Sequence, residues 1–255
     1  MHSPDGDLVR RLRDAGCVFA EEEAALLAAE ARDAGDLARL VARRVAGAPL
    51  EQVLGWAAFA GLRITVAPGV FVPRRRTELL VAEAVVLARP GAVVVDLCCG
   101  TGAVAAALAA AVPDLDLHAA DVDPAAVACA RLNLPSTPVH EGDLLTALPP
   151  GLRGRIDVLT ANVPYVPTAA VALLPPEARQ HEPRTALDGG ADGLALARRV
   201  AAGAPEWLAP GGALLFECGE GQVPAALALV AAAGLAARPV IDDDRGAVVV
   251  VGTRP

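Results

Sequence analysis

The 255-residue chain contains no lysine: all 22 basic residues are arginine, set against 30 acidic ones, for a formal net charge of −8. Gripping a nucleic-acid backbone requires clustered basic side chains. Dense clusters are confined to Arg10-Arg11-Arg13, Arg43-Arg44 and Arg74-Arg75-Arg76, so no stable nucleic-acid binding is expected. Aromatics are scarce at 3%, so a Tyr beside a motif is less of a space-filler. Five cysteines (Cys17, Cys98, Cys99, Cys129, Cys218) form no C-x-x-C pair. Their odd number, with no apolar leader, fits a reducing cytosol. The four histidines are scattered, so no metal site is expected. The longest apolar run, Ala103 to Val112, is about half of a membrane span and stops at Pro113. The expectation is a soluble, cytoplasmic monomer.

What is present is 54% hydrophobic residues, enough for one large core with a small appended unit. Residues 1–48 read as a small helical domain: Ser3-Pro4 opens the first helix, Gly16 and Gly35 end the first and second, and Asp36 caps the third. Residues 49–75 read as a connector with a β-hairpin. From 76 to 255, helices alternate with continuous apolar strands, and the chain closes on a strand-turn-strand. That order predicts an α/β fold with a mostly parallel sheet covered on both faces and an antiparallel edge.

Three strand ends carry chemistry. In "VVVDLCCGTGAVAAAL" (93–108) an apolar strand ends in Asp96, and Gly100 and Gly102 bracket a turn into an Ala-rich helix. The glycines let backbone approach a ligand at the C-terminal sheet edge. Position 98 is Cys, which breaks the G-x-G-x-x-G dinucleotide pattern, and the absence of a following Lys excludes a Walker loop. A D-x-x-x-G-x-G turn is instead typical of class I S-adenosylmethionine methyltransferases. The next strand ends at Asp121, placed to accept both hydrogen bonds of a ribose diol, with Val122 beside it. Asp143, followed by Leu144, ends the third strand where an adenine amine would lie.

The fourth strand runs into "TANVPYV". Pro164 biases Val163 toward extended backbone. The amide oxygen of Asn162 and a backbone carbonyl next to it offer two acceptors, which match the two N–H donors of a planar amide or amine. The Tyr165 ring can stack on that plane or face a sulfonium.

Together these residues resemble the HemK/PrmC family, the methyltransferases of glutamine side-chain amides in translation proteins. The likeness covers about 49–255 and includes "PLEQVLGWAAFAGLRI", "VFVPRRRTELLV", "DLCCGTGA", "NVPY", "EPRTALDGGADGL" and "LLFECGEGQ". It implies a class I, Rossmann-like fold with a seven-stranded sheet, S-adenosylmethionine as cofactor, and a release factor or ribosomal protein as substrate. The N-terminal helices would bind that substrate. Asp96, Cys98, Gly100, Thr101, Gly102, Asp121, Val122, Asp143, Leu144 and Asn162 would bind the cofactor. Asn162, Val163, Pro164, Tyr165 and Glu182 would hold the substrate, and Asn162, Pro164 and Tyr165 would carry catalysis by alignment. Thr77 and Glu78 would lie by the cofactor. The sequence departs from the family's NPPY at Val163, has Arg75-Arg76 where Pro-Glu is common, and has a shorter N-terminal region. Two further readings stay open: transfer to a nucleic-acid base amine, and a non-catalytic interaction protein. Glu217 and Glu220 fall at a sheet edge with no assigned role.

Overall fold

The computed structural model describes Pro4–Pro255, and Ser3 lies outside the described residues. The chain opens with α1 (Pro4–Asp14), α2 (Ala20–Glu30) and α3 (Ala34–Val45). Two expectations are corrected here. Asp33, not Asp36, caps α3: its extended backbone lets the carboxylate accept the Asp36 N–H at 2.8 Å. Gly35 therefore lies inside α3, and α2 stops before the Asp33 cap. Leu12, Leu27, Leu40 and Val41 form a local core, completed by Val53 of the short α4 (Leu50–Leu54).

A hairpin follows, β1 (Trp56–Phe59) paired antiparallel to β2 (Leu62–Thr65). Ala60 and Gly61 turn it with positive φ of 48° and 76°, the two left-handed residues that a tight hairpin needs.

Seven strands then form one sheet: β3 (Val93–Leu97), β4 (Asp116–Asp121), β5 (Val139–Glu141), β6 (Ile156–Ala161), β7 (Leu208–Glu217), β8 (Ala236–Asp242) and β9 (Ala247–Thr253). Their order is β5-β4-β3-β6-β7-β9-β8. The first five run parallel; β9 inserts antiparallel between β7 and β8. The β3 strand is buried along its whole length, which is why it reads as unbroken Val-Val-Val rather than alternating. Its Val93, Val95 and Leu97 join one apolar layer, and Val94 joins the other. Helices α5 (Glu78–Leu87), α6 (Ala103–Ala111) and α7 (Pro124–Asn133) cover one face, and α9 (Ala195–Trp207) and α10 (Val223–Ala232) cover the other.

The segment after β6 is built of short helical turns and α8 (Pro176–His181). A buried Arg44 ties the N-terminal helices to it: Nε meets Glu23 Oε2, and Nη1 meets Glu177 Oε1 of α8, each at 2.5 Å. Among the described residues no helix is long and apolar enough to cross a membrane.

Candidate active site

Strand order reverses beside β3: β4 lies on one side and β6 on the other, so the chain leaves their C-terminal ends in opposite directions and opens a crevice. Asp96 pairs in register with Thr160, and Leu97 with Ala161. The turn holding Cys98–Gly102 and the segment beginning at Asn162 therefore start at the same level.

One cavity occupies this crevice. Its walls include Asp96, Cys98, Gly100 and Thr101 from the first turn, and Asp121 and Val122 from the second. Asp143 and Leu144 close one end; Asn162, Val163, Pro164 and Tyr165 close the other. Gly102 and Glu182 are not brought to the cavity wall. Gly102 instead caps α6 at φ 76°, where a Cβ would stand 2.8 Å from Leu134 Cδ1; it lets α7 pack against the turn. Glu182 is buried beside Arg74, whose Nη2 lies 2.7 Å from both carboxylate oxygens, and it also accepts the Val72 N–H at 3.1 Å. It secures the segment leading to Thr77. Glu78 likewise turns away, accepting the Ala60 N–H at 3.1 Å.

The acids of the cavity differ in environment. Asp96 is 1% exposed; its Oδ1 accepts from Thr160 Oγ1 at 2.9 Å, and its Oδ2 is buried without a hydrogen-bond partner among the described residues. Burial pushes its pKa up to about 7, with Asp121 adding repulsion. Asp121 accepts from the N–H groups of Gly100 (2.8 Å) and Asp123 (2.9 Å), and burial raises its pKa as well. Asp143 is held by Arg199 Nη2 at 2.5 Å. Cys98 and Cys99 also line the cavity, and burial pushes both thiols above their ordinary value, so they are poor nucleophiles.

These features fit S-adenosylmethionine. An orphaned buried carboxylate oxygen at Asp96 suits an ammonium group, and each Asp121 oxygen keeps acceptor capacity for a ribose diol. Gly100, at φ 54°, leaves space into which no Cβ intrudes.

At the Asn162 end, Val163 is 1% exposed and its side chain lies in the sheet's apolar core. Tyr165, the chain's single tyrosine, carries the Arg76 guanidinium over its ring at 5.2 Å. Several separated motifs converge on the backbone here. Gln222 Nε2 donates to the carbonyls of Tyr165 (2.9 Å) and Asp192 (2.8 Å). Val166 exchanges hydrogen bonds with Leu187 and Gly189. A Cβ on Gly189 would stand 2.5 Å from the Pro164 carbonyl, and one on Gly193 would fall inside contact with that of Tyr165. Gly189 and Gly193 of "GGADGL" are there so that two backbones can touch.

Behind Asn162 lies a buried polar chain that sequence reasoning missed. Asn162 Nδ2 donates to Thr77 Oγ1 at 3.4 Å, and Thr77 Oγ1 donates to Glu217 Oε2 at 2.5 Å. Arg76 Nε lies 3.7 Å from Glu217 Oε1. Glu217 and Thr77 are 140 residues apart; the one available signal was an acid ending an otherwise apolar strand.

Comparison with known proteins gives the following. The family model of the methyltransferase small domain matches residues 61–172. A release factor glutamine methyltransferase of Geobacter sulfurreducens is 39% identical over 219 residues, 84% of this chain and 76% of the relative. A 4-amino-L-phenylalanine/4-methylamino-L-phenylalanine methyltransferase of Streptomyces pristinaespiralis is 37% identical over 216 residues, 80% of this chain and 73% of the relative. Among solved structures, a methyltransferase of Pyrococcus furiosus has a TM-score of 0.58 at 16% identity, covering 84% of this chain and 96% of that one; this is a likeness of fold.

Proposed function

Because the chain belongs to the HemK/PrmC family of release factor glutamine methyltransferases, we propose that it transfers a methyl group from S-adenosylmethionine to the side-chain amide nitrogen of a glutamine in a protein. The first candidate substrate is a peptide chain release factor, and a ribosomal protein is the second. The enzyme works as a monomer in the cytoplasm, with 1–48 contacting the substrate protein, 49–75 joining the two units, and 76–255 carrying the chemistry. The observation that carries this reading is the placement of Asn162 in the same cavity as Asp96 and Asp121.

When bound, the cofactor would supply an electrophilic methyl group on a sulfonium and would leave as the neutral thioether, with the proton displaced from the amide nitrogen passing to water. The chain's part is alignment. An amide nitrogen is a poor nucleophile because its lone pair is delocalised, so fixing it in line with the methyl is the main lever, worth roughly 7–11 kcal/mol in favourable systems. The Asn162 amide oxygen and the Val163 carbonyl accept the two N–H bonds of the acceptor and stabilise positive charge as it develops on nitrogen. Tyr165 and Pro164 flank the acceptor plane. The carboxylates of Asp96 and Asp121 favour a cationic ligand in the same cavity.

The Streptomyces pristinaespiralis relative supports a second reading, transfer to the aromatic amine of a small amino acid. Tritium-labelled S-adenosylmethionine separates the two. It is incubated with an unmethylated release factor, with 4-amino-L-phenylalanine, and with a demethylated lysate, and any labelled protein is mapped by peptide mass spectrometry. Label on a glutamine is the expected result. Label confined to the small amino acid selects the second reading, and label in RNA overturns both.

A further inference from the structure

We propose that Glu217, acting through Thr77, is the positioning residue that sets which way round the Asn162 amide sits, and so presents its oxygen rather than its NH2 to the acceptor nitrogen. The proposal rests on the assignment of Asn162 to the acceptor.

An asparagine side chain has two near-isosteric ends, and only its surroundings decide which faces the ligand. A flipped amide would offer N–H donors to an acceptor that itself donates two N–H bonds, and the pair would repel. The hydrogen-bond directions behind Asn162 remove that alternative. Glu217 is 2% exposed, and its Oε2 meets the Thr77 hydroxyl at 2.5 Å. Its nearest cation, Arg76, stands at 3.7 Å, beyond hydrogen-bond distance. A buried carboxylate can only accept, so it claims the single proton of the Thr77 hydroxyl. Thr77, itself 3% exposed, then has only lone pairs left to offer. Asn162 can meet those lone pairs only with Nδ2, and it does so at 3.4 Å. Its Oδ1 is left for the acceptor. Reversing the amide would set two oxygens against each other in a buried site, or turn the hydroxyl away and leave the Glu217 carboxylate without a donor, a costly state for a buried anion.

The chain has two asparagines, Asn133 and Asn162, so selective 15N-asparagine labelling gives two pairs of side-chain amide signals, one pair for each NH2 group, told apart by Asn133→Asp. In the parent protein the Asn162 amide protons are expected to exchange slowly with water. Thr77→Val and Glu217→Gln are expected to speed that exchange about tenfold, the worth of one net hydrogen bond. Thr77→Ser keeps the hydroxyl and restores the parent rate. The Asn133 amide, bonded to the Thr65 and Thr101 carbonyls, reports in the same spectrum whether the fold survives; Thr77→Ala replaces Thr77→Val if it does not. Parent-like Asn162 exchange in both Thr77→Val and Glu217→Gln overturns the proposal, as does a Thr77→Ser variant that exchanges as fast as Thr77→Val. In the methyl-transfer assay, Glu217→Gln is expected to lower kcat about 10- to 100-fold, as loss of an orienting partner does elsewhere, with cofactor Kd unchanged. A parent enzyme inactive on glutamine would overturn the functional reading, while the exchange measurement would still decide the role of Glu217.

Discussion

The N–H of Gly100 donates to Oδ2 of Asp121 at 2.8 Å, latching the turn after β3 to the tip of β4. One carboxylate thus shapes the cofactor loop and faces the cofactor's proposed ribose. Asp121→Ala should raise the S-adenosylmethionine Kd about 100-fold by titration calorimetry, the loss of two charge-assisted hydrogen bonds. A Kd within about threefold of the parent would separate Asp121 from the cofactor.

Asn162→Ala addresses the other end of the cavity. Removing its amide oxygen should cut kcat by about 10²–10³-fold, the effect of deleting one preorganised polar group at a reacting centre, and leave the cofactor Kd nearly unchanged. Retained turnover on an unmethylated glutamine substrate would show that alignment lies elsewhere.

Asp96 predicts a pH dependence. Its folded pKa of about 7 lies above the unfolded value. A carboxyl of this kind costs the native state progressively as pH rises from about 4 through about 7, because the ionised form is favoured in the unfolded chain. Asp96→Asn should therefore stabilise the ligand-free protein above pH 7, by up to roughly 4 kcal/mol if the whole shift is realised, while weakening cofactor binding. In the parent, a cationic cofactor favours ionised Asp96, so binding near pH 7 should release a proton and tighten as pH rises. Calorimetry in two buffers of different ionisation enthalpy measures that proton; uptake in place of release would contradict it.

Gly193→Ala tests the support of the acceptor segment. At φ 77° a Cβ is strained and would overlap the Tyr165 carbonyl. The expected result is a loss of transfer well beyond the loss of stability, since the displaced backbone is that of the proposed acceptor site. Thermal unfolding and kcat measured on the same preparation decide it.

The strand-end motifs were legible in the sequence because each is local. Asp96 to Gly102 and Asn162 to Tyr165 are contiguous, and a parallel sheet carries the C-terminal ends of its strands to one edge whatever the loops do. The hairpin was legible for the same reason, as was the helix–strand alternation. What was illegible is pairing across distance. Glu182 is expected to hold the substrate, and nothing in its local sequence shows that it pairs with Arg74, 108 residues away. Asp143 meets Arg199 across 56 residues. Asp33 and Asp36 are both plausible caps, and backbone geometry alone selects the first. Val163 is resolved differently: its side chain is buried in the sheet's apolar core, which is why an apolar residue serves there.

Strand β9 carries a consequence for the order of assembly. Glu217 ends β7, opposite Val249 of β9, and β8 reaches the sheet only through β9. During synthesis, β3, β4, β6 and β7 can pair as they emerge, but the outer edge of β7 stays open until residues 247–253 arrive and slot in, antiparallel, between β7 and the waiting β8. Long-range pairings of this kind form late. The carboxylate that orients Asn162 thus sits on the strand covered last, so a nascent chain could already hold its cofactor turn before its acceptor site is set.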